Sequence, residues 1–132
     1  RIESEYGSAL LTGDLEARGE LELVRRDGGS LESDVLVVPH HGSRTSSTPA
    51  FIAAVSPKVA VFTPGYRNRL GHPRPDIVAR YADAGIRTYR TDYDGALTFV
   101  FAPGRSLLPR AEREHDRRYW REAPVRDSAA VN

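Results

Sequence analysis

The sequence predicts an α/β fold, and three observations carry that prediction. Two short aliphatic runs, residues 35–38 (Val-Leu-Val-Val) and 58–63 (Lys-Val-Ala-Val-Phe-Thr), are too brief for helices and read as strands covered on both faces. Segments with helical spacing of apolar residues alternate with them, and proline or glycine stands where those helices should start and stop. Each run also ends in residues able to bind an ion or a phosphate, as expected of a buried strand that delivers chemistry at its carboxyl end.

In chain order, residues 2–6 and 9–12 are predicted strands joined by a tight turn at Gly7-Ser8, and the returning strand carries Asp14 behind Gly13. Residues 15–26 follow as a helix burying Leu15, Leu21, Leu23 and Val24, weakened by about 1 kcal/mol at Gly19. After the strand at 35–38, Pro39 stops the hydrogen-bond ladder and His40 and His41 emerge; Gly42 permits close backbone approach and Ser43 adds a hydroxyl. Thr48 is the predicted cap of a helix that starts at Pro49 and turns Phe51, Ile52 and Val55 inward. The amino terminus of that helix suits a phosphate, the alternative being a cap with no ligand.

Residues 58–63 open into an irregular stretch, 64–73, shaped by two prolines and two glycines and carrying Tyr66, Arg67, Asn68, Arg69 and His72. A helix at 75–84 buries Ile77, Val78 and Tyr81 and is closed by Gly85. Residues 86–90 and 96–101 are predicted to pair as a hairpin through Asp94-Gly95, so that Asp92 and Asp94 belong to turn chemistry rather than to a calcium site. The folded unit is expected over 1–104. Residues 105–132 read as a basic, solvated and partly ordered tail, helical over about 110–122 with Tyr119 and Trp120 as its only large apolar handles and disordered over 127–132; the alternative is that the arginines flanking Tyr119-Trp120 contact single-stranded DNA.

Bulk properties narrow the function. A net charge of +1 gives no global field for nucleic acid, so any basic surface must be local. The absence of cysteine excludes disulfides and thiolate metal sites. No apolar run approaches the ~20 residues of a membrane span. An initial arginine and the lack of a signal peptide fit a piece of a longer protein. What remains is a carboxylate, Asp14, and imidazoles at adjacent strand ends, a donor set that suits zinc or manganese, with a carboxylate able to bridge two ions. A capping aspartate and ordinary loop histidines are the competing reading. Arg67 and Arg69 can pair with phosphate oxygens and Tyr66 can stack on a base, or the arginines are simply solvated.

Five blocks in order, residues 10–16 (Leu-Leu-Thr-Gly-Asp-Leu-Glu), 34–43, 45–49 (Thr-Ser-Ser-Thr-Pro), 65–73 and 90–96, resemble the metallo-β-lactamase-type domain of the ComEC family of DNA-internalisation competence proteins. The resemblance implies the second half of a four-layer αββα sandwich, because the family's His-x-Asp-x-Asp-His metal motif would precede residue 1. It implies two divalent ions, manganese or zinc, with Asp14 bridging and His41 as a ligand. His40 is then a catalytic neighbour or the alternative ligand, and His72 a proton donor or phosphate contact near the leaving group. Ser43, Arg44, Ser46, Tyr66, Arg67, Asn68 and Arg69 become substrate contacts.

The implied substrate is single-stranded DNA, and the implied activity is nuclease degradation of the strand that is not taken up. The implied setting is the inner membrane, with this domain on the extracytoplasmic side and with the channel of the same protein and other DNA-uptake proteins as partners. With so few ligands of its own, the chain alone is expected to be inactive and to bind metal weakly. Two alternatives stand beside this reading. One is a metallo-hydrolase of the same fold with a walled pocket for a small substrate and no basic track leading from it. The other is a non-catalytic DNA-binding or scaffolding module.

Overall fold

A computed structural model describes residues 1–115. A five-stranded sheet has the order β1 (Ile2–Ser4), β2 (Gly7–Leu11), β3 (Val35–Val37), β4 (Val59–Phe62) and β5 (Arg87–Arg90). β1 pairs antiparallel with β2, and the remaining neighbours are parallel, with Leu11, Val37, Val61 and Tyr89 in one register row. Parallel pairing needs crossovers, and three helices supply them: α1 (Ala17–Asp27), α2 (Pro49–Val55) and α3 (Pro75–Asp83). The α/β class read from the sequence is thus the class observed.

Side chains alternate across the strands, so the sheet has two apolar faces. Leu10, Leu36, Val38, Ala60 and Phe62 face the helices and bury Phe51, Ile52, Val55, Ile77 and Tyr81 against them. Val35, Val59 and Val61 line the opposite face, where Leu97, Phe99, Phe101 and Leu107 cover them. Tyr81 meets Phe62 edge to face, with ring centroids 5.4 Å apart.

Several boundaries differ from expectation for identifiable reasons. The first turn falls at Glu5-Tyr6, because Gly7, with φ 155, already belongs to β2 and lies against the Phe101 ring. Leu21, expected in the core, is 45% exposed, whereas Glu20 beside it is fully buried. A carboxylate takes the inward position because amide hydrogens await it there.

The hairpin expected through Asp94-Gly95 does not form. Residues Thr91–Asp94 make one helical turn, α4, pinned where Arg90 binds the Asp92 carboxylate through two nitrogens (3.1 and 2.8 Å) and lies 4.0 Å from the Tyr93 ring. The chain then crosses to the second face of the sheet, and β6 (Leu97–Thr98) pairs antiparallel with β7 (Arg110–Ala111) instead of with β5. In that position Leu97, Phe99 and Phe101 pack over Val35, Val59 and Val61 and take apolar surface out of water. Residues 110–111, read from sequence as part of the tail, therefore contribute to the packed unit, with Ala111 buried. A short helix α5 (Glu112–His115) follows. The expectations for residues 116–132, including Tyr119 and Trp120, lie outside the described residues.

Candidate functional site

Parallel strands align their carboxyl ends, so β2–β5 present the Gly13-Asp14 turn, the His40-His41 turn, the loop after Phe62 and α4 along one edge. Two backbone ties fix the first pair: the Thr12 hydroxyl donates to the Val37 carbonyl (2.7 Å), and the His40 amide donates to the Gly13 carbonyl (2.9 Å). His40 and His41 both hold left-handed backbone, with φ of 48° and 54°. Each such residue costs about 1–2 kcal/mol, a strain that persists only where the surroundings enforce it and that concentrates at functional sites.

The strain turns the two rings toward two carboxylates. His41 Nε2 lies 3.5 Å from Asp14 Oδ1, and His40 Nδ1 lies 3.5 Å from Glu16 Oε1. Neither is a close ion pair. The Asp14–His41 spacing instead matches the edge of a metal tetrahedron, since ligands about 2.0–2.2 Å from one ion sit about 3.3–3.6 Å apart. His41 Nδ1 lies 3.0 Å from the Thr63 hydroxyl. An Nδ1–H donated to Thr63 leaves the Nε2 lone pair directed at the Asp14 side, the arrangement that orients a ligand imidazole. Asp14 and His41 thus fit two corners of a metal site. Among the described residues no group of three or more His, Cys, Asp or Glu converges, so these two alone do not complete such a site.

His40 behaves differently from its neighbour. Its Nδ1 is buried without a hydrogen bond, the Glu16 oxygen being near but poorly aligned, and its ring lies 6.1 Å from that of His72. His72 Nδ1 is likewise buried and unpartnered. Burial, with further contributions from His40, His41 and Arg74, holds the His72 imidazole below its ordinary pKa, so its neutral form predominates. A neutral ring can exchange a proton but brings no charge to a phosphate.

Beneath the histidines the chain is braced by a polar network. Ser46, expected to meet substrate, is buried, and its hydroxyl lies within bonding distance of the Pro39 (2.9 Å) and Ser43 (3.0 Å) carbonyls, so it holds the turn from below. Ser43 is also buried, its hydroxyl 3.2 Å from that of Thr45, while Arg44 is exposed. The expected phosphate site at the start of α2 is already filled. The Glu20 carboxylate accepts the Ser47 and Thr48 amides at 2.5 and 2.8 Å, and the Thr48 hydroxyl accepts the Phe51 amide. An internal anion therefore already stands beside the start of the helix and holds the two amides that lead into it. Tyr81 donates its hydroxyl to Ser47 Oγ (3.0 Å), and Arg80 donates to the Ser47 carbonyl (3.0 Å).

In the loop after β4, Asn68 is a staple: its side-chain amide donates to the His72 carbonyl (2.7 Å) and its oxygen accepts the His72 amide (3.0 Å). This closes residues 68–72 into a compact turn that leaves Tyr66, Arg67, Arg69 and Leu70 exposed. Arg67 lies 5.3 Å and Arg113 5.2 Å from the Tyr66 ring centroid. Of the residues expected in a site, Asp14, His40, His41 and His72 gather at one edge, Tyr66, Arg67 and Arg69 flank it, and Ser46 and Asn68 shape it from within. Glu16, Glu20, Thr63 and Arg113 escaped sequence reading. Only Thr63, a hydroxyl residue ending a strand beside a suspected ligand strand, carried a usable signal.

No family model matches the chain. Individual proteins do. The chain is 44% identical over 124 residues to Competence protein ComA of Neisseria gonorrhoeae, a match covering 94% of this chain and 18% of that protein. It is 39% identical over 94 residues to ComE operon protein 3 of Bacillus subtilis (strain 168), covering 71% of this chain and 12% of that protein. This chain belongs to the ComEC-type competence family. Recombination protein 2 of Haemophilus influenzae is a further relative, 37% identical over 79 residues, or 60% of this chain and 10% of that protein. The chain thus spans less than a fifth of the length of these relatives, and its family is one of competence and DNA uptake.

Proposed function

We propose that this chain supplies part of a metal-dependent phosphodiesterase site that degrades the non-transported DNA strand during transformation, within the second half of a metallo-β-lactamase αββα sandwich. The observation that carries the reading is the placement of Asp14 Oδ1 and His41 Nε2 at 3.5 Å with the far side of the imidazole held by Thr63. In this reading Asp14 and His41 hold divalent metal, manganese or zinc, together with ligands from the rest of the protein. When bound, such ions supply Lewis acidity toward water and toward a phosphodiester.

The chain's own groups do the remainder. Asp14 supplies a carboxylate able to face two ions, and the strained turn keeps His41 aimed before anything binds, so little reorganisation accompanies the reaction. His72, held neutral beside His40, can take or give a proton at its ring nitrogen near the leaving group. Arg67 and Arg69 neutralise phosphates beyond the scissile one, and their exposure along the same edge supports a polymeric substrate over a small ester or lactam in a walled pocket. Among the described residues no helix is long and apolar enough to cross a membrane. We place the domain on the extracytoplasmic side of the inner membrane, carried by the channel portion of the full-length protein and working with other DNA-uptake proteins.

The test is manganese-dependent hydrolysis of single-stranded DNA by the full-length protein and by its Asp14→Ala variant. Cleavage lost in the variant is the expected result. A folded, metal-loaded protein without cleavage would sink the nuclease reading. The second reading, a non-catalytic DNA-binding or scaffolding module, is favoured by the convergence of only two well-placed metal donors among the described residues. It predicts DNA binding indifferent to Asp14.

A further inference from the structure

The basic surface beside the candidate site is built from two distant parts of the chain. Tyr66 and Arg67 come from the loop after β4, three and four residues past Thr63, the residue that holds His41. Arg113 comes from α5, behind the β6–β7 pair, and has its own anchorage. Its Nη1 donates to the Asp92 carbonyl at 2.7 Å, and its Cγ and backbone lie against Gly95, where an added Cβ would meet that Cγ at 2.9 Å. Gly95, with φ 78, is thus the residue that lets Arg113 seat against α4. Asp92 is itself fixed by its two-nitrogen contact with Arg90, so the carbonyl that receives Arg113 belongs to a pinned turn.

The Tyr66 ring then stands with the Arg67 guanidinium 5.3 Å and the Arg113 guanidinium 5.2 Å from its centre. A ring quadrupole can hold a cation at an exposed position for about 0.5–1 kcal/mol, and a guanidinium carries five N–H donors, of which the Asp92 carbonyl uses one. Two cations brought to one exposed ring are a poor choice for stability alone, since they repel each other. They form instead a flat, positive, partly apolar surface, and such surfaces suit single-stranded nucleic acid, whose phosphates need cations and whose bases need planes to lie on. In position this surface continues the edge: Asp14 at β2, His40 and His41 at β3, Thr63 at β4, then Tyr66 and Arg113 beside α4 at the end of β5.

We propose that Arg113 is a substrate-contacting residue and that Arg113, Tyr66 and Arg67 form a subsite for the backbone of single-stranded DNA, next along the edge from the Asp14–His41 pair. The proposal rests on the phosphodiesterase reading for its substrate class. The segment after β7 is on this account part of the binding track and supplies one of its phosphate contacts.

The experiment is a fluorescence-anisotropy titration of a labelled single-stranded oligonucleotide with the full-length protein. Chelator is present so that binding is read without turnover, and salt is varied. Arg113→Gln is expected to weaken binding several-fold at low salt and to flatten the plot of log affinity against log salt by about 0.7, the share of one single-strand phosphate contact. Arg113→Lys keeps the charge and should retain the wild-type slope. Arg87→Gln, exposed at the start of β5 on the far edge, should change neither quantity. Wild-type affinity and slope in Arg113→Gln would overturn the subsite, as would a Lys variant that loses the slope along with Gln, because the effect would then be structural. A wild-type chain that shows no salt-dependent binding removes the DNA reading and the subsite with it, which separates the two failures.

Discussion

Single residues at this edge carry costs that the chain tolerates for geometry. Gly42 has φ 82, and an added Cβ would come within 2.7 Å of Pro73 Cβ and 2.8 Å of the Phe62 ring. Gly42→Ala is therefore expected to lower stability by about 2–4 kcal/mol, from left-handed backbone and overpacking together, readable in a urea unfolding curve. Thr63→Val keeps shape but leaves His41 Nδ1 without its oxygen. Metal affinity in the full-length protein should drop roughly 10- to 100-fold by calorimetry with little change in melting temperature; unchanged affinity would mean the ring is oriented by something else. At the opposite edge, the Lys58 ammonium, 2.6 Å from Asp34 and helped by the Ser8 amide and hydroxyl, holds the Asp34 carboxyl below its ordinary 3.8, although partial burial works against it. A depressed folded-state pKa contributes stability that is present above 3.8 and disappears as pH falls through the lower folded value. Asp34→Asn should accordingly flatten the acid limb of the stability profile below 3.8 and leave its shape near neutrality unchanged.

At the level of elements, the informative contact is the one between α1 and α2. Glu20 is fully buried because its carboxylate accepts the Ser47 and Thr48 amides just ahead of α2, while the Thr48 hydroxyl caps the helix itself. Glu20→Ala leaves two amides without an acceptor in the interior, an expected loss of about 2–5 kcal/mol in chemical denaturation. Tyr81→Phe, which removes one hydroxyl donated to Ser47, should cost about 1 kcal/mol. The two substitutions share Ser47, so a double variant that merely adds their losses would show that the network is not coupled. This level is also where sequence reading worked least evenly. Strands β3 and β4 and helices α2 and α3 were legible because an aliphatic run or a proline start marks each one locally. The Asp94-Gly95 hairpin was misread because its signal is local, whereas the competing force, burial of Phe99 and Phe101 on the second face of the sheet, is tertiary.

For the molecule as a whole, the parallel sheet converts four strand ends into one working edge, with candidate metal donors toward β2 and β3 and cations toward β4 and β5. Because Asp14 and His41 are the only pair among the described residues with the spacing of two metal donors, the 132-residue chain by itself is expected to bind manganese or zinc weakly and to leave single-stranded DNA uncut. A calorimetric titration and a cleavage assay on that chain check both statements. Tight binding by these residues alone would require ligands that no grouping among the described residues supplies.

The sequence by itself determined the α/β class, the strand-end position of Asp14 and the paired histidines, and the run of arginines after β4, since each is written in neighbouring residues and follows from periodicity and turn chemistry. The residues themselves left His40 and His41 as alternatives, with the resemblance favouring His41; the tertiary structure turns His41 toward Asp14 and His40 toward Glu16, because two consecutive left-handed residues set the direction of each ring. It also decided that Glu20 binds the Ser47 and Thr48 amides just ahead of α2, and that Arg113 joins Tyr66. Those contacts link residues 27, 28 and 47 positions apart in the chain, and over such separations only the packing of the sheet and its helices brings the groups together.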